Sequence, residues 1–337
     1  MDTIPWGPSF KQRPQHIAEN LAQHFDVVLY KRGMIMNFMW HNDKILLCPK
    51  LSFAKCPQKN IVYYIDSINE YRDVQFLKKI KRYGYKIVYD YIDEFSNKIC
   101  NTKNPLKVYK NLEQIKPDLI ITAADKLYND IKSRFPKEKI VLAKNGVCPE
   151  DFTKISDIVP DDIKPIVEQK KPIVGYYGVI SRWLDYDLLA KAAESYPDYN
   201  FVFIGKDSQL STQKLKMHSN VYFLGRKEYE ELPNCAKFFN CCIIPFQKGR
   251  IAKATSPVKL FEYMALKKPI VCTRDLNECR GFDGVLMSEN DDEFIKNLSA
   301  AIKLNEDTVI KEKLWQTASE NSWAQRAELI YEKMRNL

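Results

Sequence analysis

Residues 241–273 read CCIIPFQKGRIAKATSPVKLFEYMALKKPIVCT, and the order of their apolar runs decides the fold. Cys241–Pro245 is a strand-length run without charge, and Pro269–Thr273 is a second one. Between them, Pro257–Ala265 places Val258, Leu260, Phe261 and Met264 at helical spacing. Two strands that are apolar on both faces, joined through a helix, form a βαβ unit. Its strands run parallel, and helices cover the sheet.

Outward from this unit the pattern repeats. Strands are expected at Ile173–Tyr177, Asn200–Ile204, Val221–Leu224 and Val285–Met287, and helices at Asp185–Ser195, Tyr229–Phe239, Asp291–Leu304 and Trp323–Met334. Upstream, Cys148–Pro172 holds Pro149, Pro160, Pro165 and Pro172 with Asp157, Asp161 and Asp162, the composition of a linker. Before it lie expected strands Asp26–Tyr30, Lys44–Leu47, Asn60–Ile65, Tyr85–Tyr89, Leu119–Thr122 and Ile140–Ala143. Expected helices there are Pro14–His24, Asp73–Tyr83, Pro105–Gln114 and Ala124–Arg134. The fold class is therefore α/β, with two doubly wound, Rossmann-like parallel-sheet domains and a ligand expected at the carboxyl ends of the strands. The boundaries are 1–150, a linker 151–171, 172–320, and a C-terminal helix 321–337. Only Thr3–Trp6 precedes the first helix, so the opening strand of the first domain is short or missing.

The 337 residues exceed one ordinary core. No apolar run approaches the ~18 residues of a membrane helix, and MDTIPWGPSFKQRPQ lacks a basic-then-apolar leader. Nine cysteines without a C-x-x-C pair favour free thiols in a reducing cytoplasm, and four histidines without H-E-x-x-H disfavour a metal centre. Residues 1–150 carry 25 Lys and Arg against 16 Asp and Glu, whereas 151–337 carry 27 of each. The whole excess of +9 thus lies in the first half, which suits an anionic lipid surface, nucleic acid or an anionic substrate, or is simply solvated.

Glycine occurs 11 times, yet Gly175, Gly178, Gly205 and Gly225 all fall at or just after expected strand ends. Such glycines make tight turns or let backbone approach a ligand. Arg182 follows Gly178 by four residues, just before a helix, an arrangement suited to a diphosphate. Neither G-x-x-x-x-G-K-[ST] nor G-x-G-x-x-G is present, which argues against an ATPase and a nicotinamide enzyme. Ser256 is a natural N-cap and Pro257 a natural first helical residue, so the helix start at Ser256–Val258 offers amides to an anion. Lys259 and Glu262 share one helix face. They suit phosphates and ribose hydroxyls respectively, or a surface i,i+3 ion pair. Asp185-Tyr186-Asp187 has the D-x-D form of a metal site but sits at a helix start, where acids cap the dipole.

SPVKLFEYMALKKPIV resembles the donor-site motif of the GT-B-fold, group 1, nucleotide-sugar-dependent glycosyltransferases. KNGVCPEDF at Lys144–Phe152 resembles their interdomain hinge, VGYYGVISRWLDYDLL the opening of their donor domain, and FLGRKEYEELPNCAKFFNCCIIPF its middle strands. WGPSFKQRPQHIAENLA resembles a subgroup acting in bacterial capsule and teichuronic acid assembly. The resemblance implies a GT-B architecture with two domains facing a cleft, 1–150 binding acceptor and 172–320 binding donor. It implies glycosyl transfer, retaining in much of the family, from a UDP-, GDP- or TDP-sugar to a glycan or lipid-linked acceptor, with no metal or other cofactor. Glu262 would hold the ribose. Lys259, Arg182 and the Ser256-Pro257-Val258 helix start would hold the diphosphate, and Gly225-Arg226 would lie against the base, with Gly178 and Gly205 in the crevice. Many members carry a second Glu eight positions before the helix Glu, where this chain has Ala254.

In the first half, Asp93 is the first candidate for a general base, followed by Glu94 and Asp90, all at an expected strand end. Loop solvation or capping is the plain alternative. His16 is a further catalytic candidate, or a structural helical histidine. The expected protein is cytoplasmic and peripheral on the inner membrane face, with a catalytically inactive partner subunit as the alternative. A nucleic-acid binder ranks last, since no recognised module is present.

Overall fold

The computed structural model describes residues 6, 11–31, 38–48, 61–66, 74–95, 104–207 and 212–337. The chain divides into two units, Met1–Asn145 with Trp323–Leu337, and Gly146–Ser322.

In the first unit α1 (Arg13–Leu21) precedes β1 (Val28–Lys31), β2 (Met39–Trp40), β3 (Ile45–Cys48) and β4 (Val62–Asp66). There follow α2 (Val74–Arg82), β5 (Lys86–Tyr91), α3 (Pro105–Ile115), β6 (Leu119–Thr122), α4 (Asp125–Arg134) and β7 (Ile140–Leu142). Strands β4-β5-β6-β7 lie in that order, all parallel. Their apolar sequences fit burial on both faces: Ile87, Val88, Ile120 and Ile121 are fully buried. The remaining described strands form a second sheet, ordered β1-β3-β2. One feature departs from the parallel expectation, since β2 runs antiparallel to β3. The cause is local: Asn42 Oδ1 accepts from the amides of Lys44 and Ile45, closing a tight turn that sends the chain straight back. Of the expected opening strand Thr3–Trp6, residues 3–5 lie outside the described residues.

The second unit contains α5 (Lys164–Val167), β8 (Ile173–Tyr177), α6 (Tyr186–Ser195), β9 (Asn200–Ile204), β10 (Val221–Phe223) and α7 (Leu232–Ala236). It continues with β11 (Cys241–Ile244), α8 (Arg250–Ala254), α9 (Val258–Ala265), β12 (Ile270–Thr273), β13 (Val285–Ser288), α10 (Asp291–Leu304) and α11 (Thr308–Glu320). The six strands are parallel in the order β10-β9-β8-β11-β12-β13. That is the doubly wound order 3-2-1-4-5-6, whose direction reverses between β8 and β11. Helix starts follow their caps: Asp185 Oδ1 accepts from Leu188 N at 3.1 Å, and Asn290 Oδ1 from Glu293 N at 2.9 Å.

The Pro-rich stretch 151–171 packs on this unit, with Phe152, Ile163 and Ile166 in its core. The expected helix 229–239 is broken into a 3-10 turn at Tyr229–Glu231 and the short α7, which has Pro233 in its first turn. The last helix, α12 (Trp323–Met334), groups with the first unit and packs on α1. There the Trp323 indole stacks on His16 with ring centroids 5.0 Å apart, and Tyr331 stacks on His24 at 4.1 Å.

Candidate functional site

In the second unit three strands end in glycine with positive φ: Gly178 after β8 (+130°), Gly205 after β9 (+150°) and Gly225 after β10 (+72°). They are tied edge to edge, since Gly178 N donates to Ile204 O at 2.9 Å and Gly205 N donates to Gly225 O at 2.7 Å. Gly175 has a different part. A Cβ there would lie 1.9 Å from the Phe239 ring, so it is a packing glycine inside β8 and not a crevice glycine.

The segment after Gly178 crosses the carboxyl ends of the strands. Ile180 bridges to Asp207 beyond β9, and Leu184 bridges to Phe246 beyond β11. Arg182 is carried on this crossing and is exposed. Asp185 caps α6, while Asp187 is exposed and pairs with Lys214 at 2.6 Å, so the D-x-D pattern is a helix start.

On the other side of the reversal point stands α9. It begins one residue later than expected. Pro257 is its N-cap in extended conformation (φ −72°, ψ 119°), and no side chain caps it. The N-cap position thus falls on Pro257 and not on Ser256, and the first amides of the helix belong to Val258 and Lys259. Lys259 reaches back towards β8. A Cβ on Gly178 would lie 3.0 Å from Lys259 Cε, and Nζ stands 5.4 Å from the ring centroids of both Tyr176 and Phe246. Among the described residues Lys259 forms no ion pair, so the expected surface pairing with Glu262 is absent. Burial pulls its ammonium below the usual lysine range, against an upward pull from Glu262.

Glu262 lies one turn on and is buried, 7% exposed. Burial pushes its carboxyl up to about 7. Lys259 and the Tyr177 hydroxyl draw it down, and Asp151 pushes it up. Tyr177 and Tyr229, both buried, are raised far above the usual phenol range by burial and by this same carboxyl. Asp151 belongs to the 3-10 turn Pro149–Phe152, which packs against α9. Sequence reasoning did not single out Tyr176, Tyr177, Tyr229, Phe246 or Asp151. The signal for Asp151 was at hand, since it belongs to the KNGVCPEDF segment.

Arg226 follows Gly225 at the end of β10, two strands from the reversal point, and is exposed. Ala254, where the resemblance leads one to expect a carboxylate, ends α8 and is buried at 2%. The nearby Asp275 accepts from Gly249 N at 2.8 Å and pairs with Arg274 at 3.6 Å.

The other three candidates belong to the first unit. Arg13 and Asp90 form a buried bidentate pair, with Nε to Oδ2 at 2.8 Å and Nη2 to Oδ1 at 3.0 Å. Arg13 also donates to Ala143 O, and Tyr64 donates to Asp90. Asp93, half-buried beside this pair, is pushed up to about 6 by burial. Arg13 draws it down and Asp90 pushes it up. Glu94 is buried and takes an ion pair from Lys126 at 3.4 Å. His16, stacked on Trp323, is held well below the usual histidine range by burial and by Lys11, so its ring is neutral. The described cysteines Cys148, Cys235, Cys241, Cys242, Cys272 and Cys279 are free thiols.

Comparison with known proteins places this geometry. Residues 160–317 match the family described as Glycosyl transferases group 1. The chain is 29% identical over 202 residues to a putative teichuronic acid biosynthesis glycosyltransferase, TuaH, of Bacillus subtilis (strain 168). That match covers 56% of this chain and about half, 50%, of the relative's length. Among solved structures, sucrose-phosphate synthase from Thermosynechococcus elongatus superposes with TM-score 0.71 at 12% identity, covering 96% of this chain and 92% of the other. Anabaena Alr3699/HepE in complex with UDP and glucose superposes with TM-score 0.68 at 14% identity, covering 100% and 99%. At such identities these two neighbours show the fold, two Rossmann-like units of GT-B type. The matched residues 160–317 lie within the second unit, which is thus the part of the chain similar to the group 1 glycosyltransferases.

Proposed function

We propose that this chain transfers a hexosyl unit from a nucleoside-diphosphate sugar to a hydroxyl of a glycan or lipid-linked glycan, in the assembly of a bacterial surface polysaccharide. One observation carries the reading: Lys259, a cation with no ion pair among the described residues, stands over the Gly178 turn where the strand order reverses. An anion completes such a site, and the diphosphate is the anion that a nucleotide-sugar brings. Arg182 and the amides of Val258 and Lys259 join Lys259 on the diphosphate. Glu262 takes the ribose hydroxyls, and Gly225-Arg226 lies against the base. The UDP in the HepE complex and the pathway in the name of TuaH support the donor and acceptor classes.

In the proposed reaction the bond from the anomeric carbon to the diphosphate oxygen breaks and a bond to the acceptor oxygen forms, with retention. The acceptor proton passes to the leaving diphosphate. The charge growing there meets Lys259 and Arg182, which act electrostatically where other enzymes use a metal. Asp93 accepts a hydrogen bond from the acceptor. Glu94 is held by Lys126, and His16 by Trp323, so both support that end of the first unit.

Calorimetric titration of UDP, GDP, TDP and CMP, into the protein and into Glu262→Ala, tests the reading. One nucleotide binds, and the variant loses it. Buried Ala254, in place of a carboxylate, favours a second reading as an inactive partner subunit. Binding of none of the four nucleotides would overturn the catalytic reading in its favour.

A further inference from the structure

A nucleotide-sugar laid on the second unit has a direction. Gly225-Arg226 follows β10, whereas the Gly178 turn and Lys259 stand at the reversal between β8 and β11. With the base over β10 and the diphosphate at the reversal, the sugar extends the other way, over the ends of β11 and β12. That edge is built by residues 246–257, which connect β11 to α9, and by residues 274–279 after β12. Residues 246–257 include Lys248, Arg250 and Lys253 and no carboxylate. Gln247 N donates to Trp183 O at 2.7 Å. Lys248 follows one end of this bond and Arg182 precedes the other, so the two exposed cations share one rim.

The acids of this edge do not balance its cations. Asp275 accepts from Gly249 N at 2.8 Å and faces Arg274 at 3.6 Å and Lys253 at 4.0 Å. Glu278, in the 3-10 turn that packs on α8, is buried. Lys248, Arg250, Lys253 and Arg274 thus outnumber the two carboxylates, and Lys248 forms no ion pair among the described residues. Its place is fixed, since the next residue, Gly249, adopts φ +137° and is tied to Asp275. A doubly esterified diphosphate has one ionised oxygen on each phosphate, and Lys259 and Arg182 match these. The surplus on the sugar side is left for a further negative charge. We propose that the transferred sugar is itself an anion, a hexuronosyl unit whose carboxylate pairs with Lys248. The proposal rests on the donor site described above and narrows the class of sugar that this site takes.

The test is calorimetric titration of the full chain with two pairs of sugars, glucose with glucuronate and galactose with galacturonate. Each sugar is supplied as the ester of the nucleoside diphosphate that binds, UDP-glucose and UDP-glucuronate where that is UDP. In at least one pair the uronate ester binds roughly tenfold tighter than its neutral counterpart, and the preference shrinks at high salt. Lys248→Gln brings the two affinities of that pair together. The side chain is exposed, so the variant keeps the thermal unfolding midpoint of the parent. Equal affinities in both pairs overturn the proposal and leave the donor site standing. A preference that Lys248→Gln does not change overturns it as well. So does an equal loss of all four esters in the variant, because Lys248 would then serve the diphosphate. If no nucleoside diphosphate binds, the donor site itself falls, and this inference falls with it.

Discussion

The carbonyl oxygen of Gly178 fills the place where a side chain on Gly205 would begin. A Cβ there would stand 1.9 Å from it. The ends of β8 and β9 are thus packed backbone on backbone, and this contact holds the Gly178 turn against the Lys259 stem. The shape of the anion site depends on two residues 27 positions apart, neither of which carries a functional group.

Gly205→Ala should therefore be far worse than Gly225→Ala. The first combines φ +150° with a collision that only backbone movement relieves, whereas the second meets nothing within 4 Å and bears the cost of φ +72° alone. A left-handed alanine costs about 1–2 kcal/mol, and a backbone overlap adds a cost of several kcal/mol. Urea denaturation should show Gly225→Ala folded, with UDP affinity lowered only through the contact with the base. Gly205→Ala should have lost both the stability and the affinity.

Glu262 should work against the fold it serves. Its carboxyl is raised to about 7, while in the unfolded chain it titrates in the usual carboxyl range. Between the two, the folded state holds a proton that the unfolded state has released, so stability falls as pH rises through roughly 5 to 7. Glu262→Gln, neutral at every pH, should match the parent near pH ~5 and exceed it by about 1–3 kcal/mol near pH ~8. The same variant should lose roughly 30-fold or more in UDP affinity, because two ribose hydroxyls lose an ionised acceptor. Thermal unfolding and calorimetry at the two pH values check both arms.

Arg13 should be indispensable to the first unit without touching the donor site. Removing one partner of a buried bidentate pair leaves the other charge uncompensated, at about 3–5 kcal/mol. Arg13→Met strands Asp90 in this way, and Arg13→Met with Asp90→Asn should recover more than half of the loss. Both variants should titrate UDP like the parent, since the nucleotide residues all belong to the second unit.

Legibility in the sequence followed the range of the interactions. Ile173–Tyr177, Asn200–Ile204, Leu119–Thr122 and Asp291–Leu304 end where their apolar or periodic runs end, because their own composition decides them. Helix Thr308–Glu320 went unread because it is mostly polar and buries only Leu314 and Ala318. The two-residue β2 exists only through its pairing with β3, and no local pattern marks it. The same division runs through the site. Lys259 and Glu262 are helix neighbours and could be paired on paper. That Gly175 faces Phe239, or that Arg13 meets Asp90 across 77 positions, depends on tertiary packing.

Asp93 should report on which group takes the acceptor proton. It stands beside the buried Arg13–Asp90 pair, and its pKa of about 6 leaves it mostly ionised at neutral pH. If the leaving diphosphate receives the proton, Asp93 contributes one charged hydrogen bond to the acceptor, worth about 1.5–3 kcal/mol. Asp93→Asn should then lower the transfer rate at subsaturating acceptor by roughly 10- to 100-fold, mostly through the acceptor KM. UDP affinity should stay unchanged. Activity of the parent should fall as pH drops through about 6, and this limb should vanish in the variant, because asparagine has no proton to gain. A general base would instead show a loss of about 10²–10⁴ in kcat itself. Measuring kcat and KM separately, from pH ~5 to ~8, decides between proton transfer to phosphate and proton transfer to Asp93.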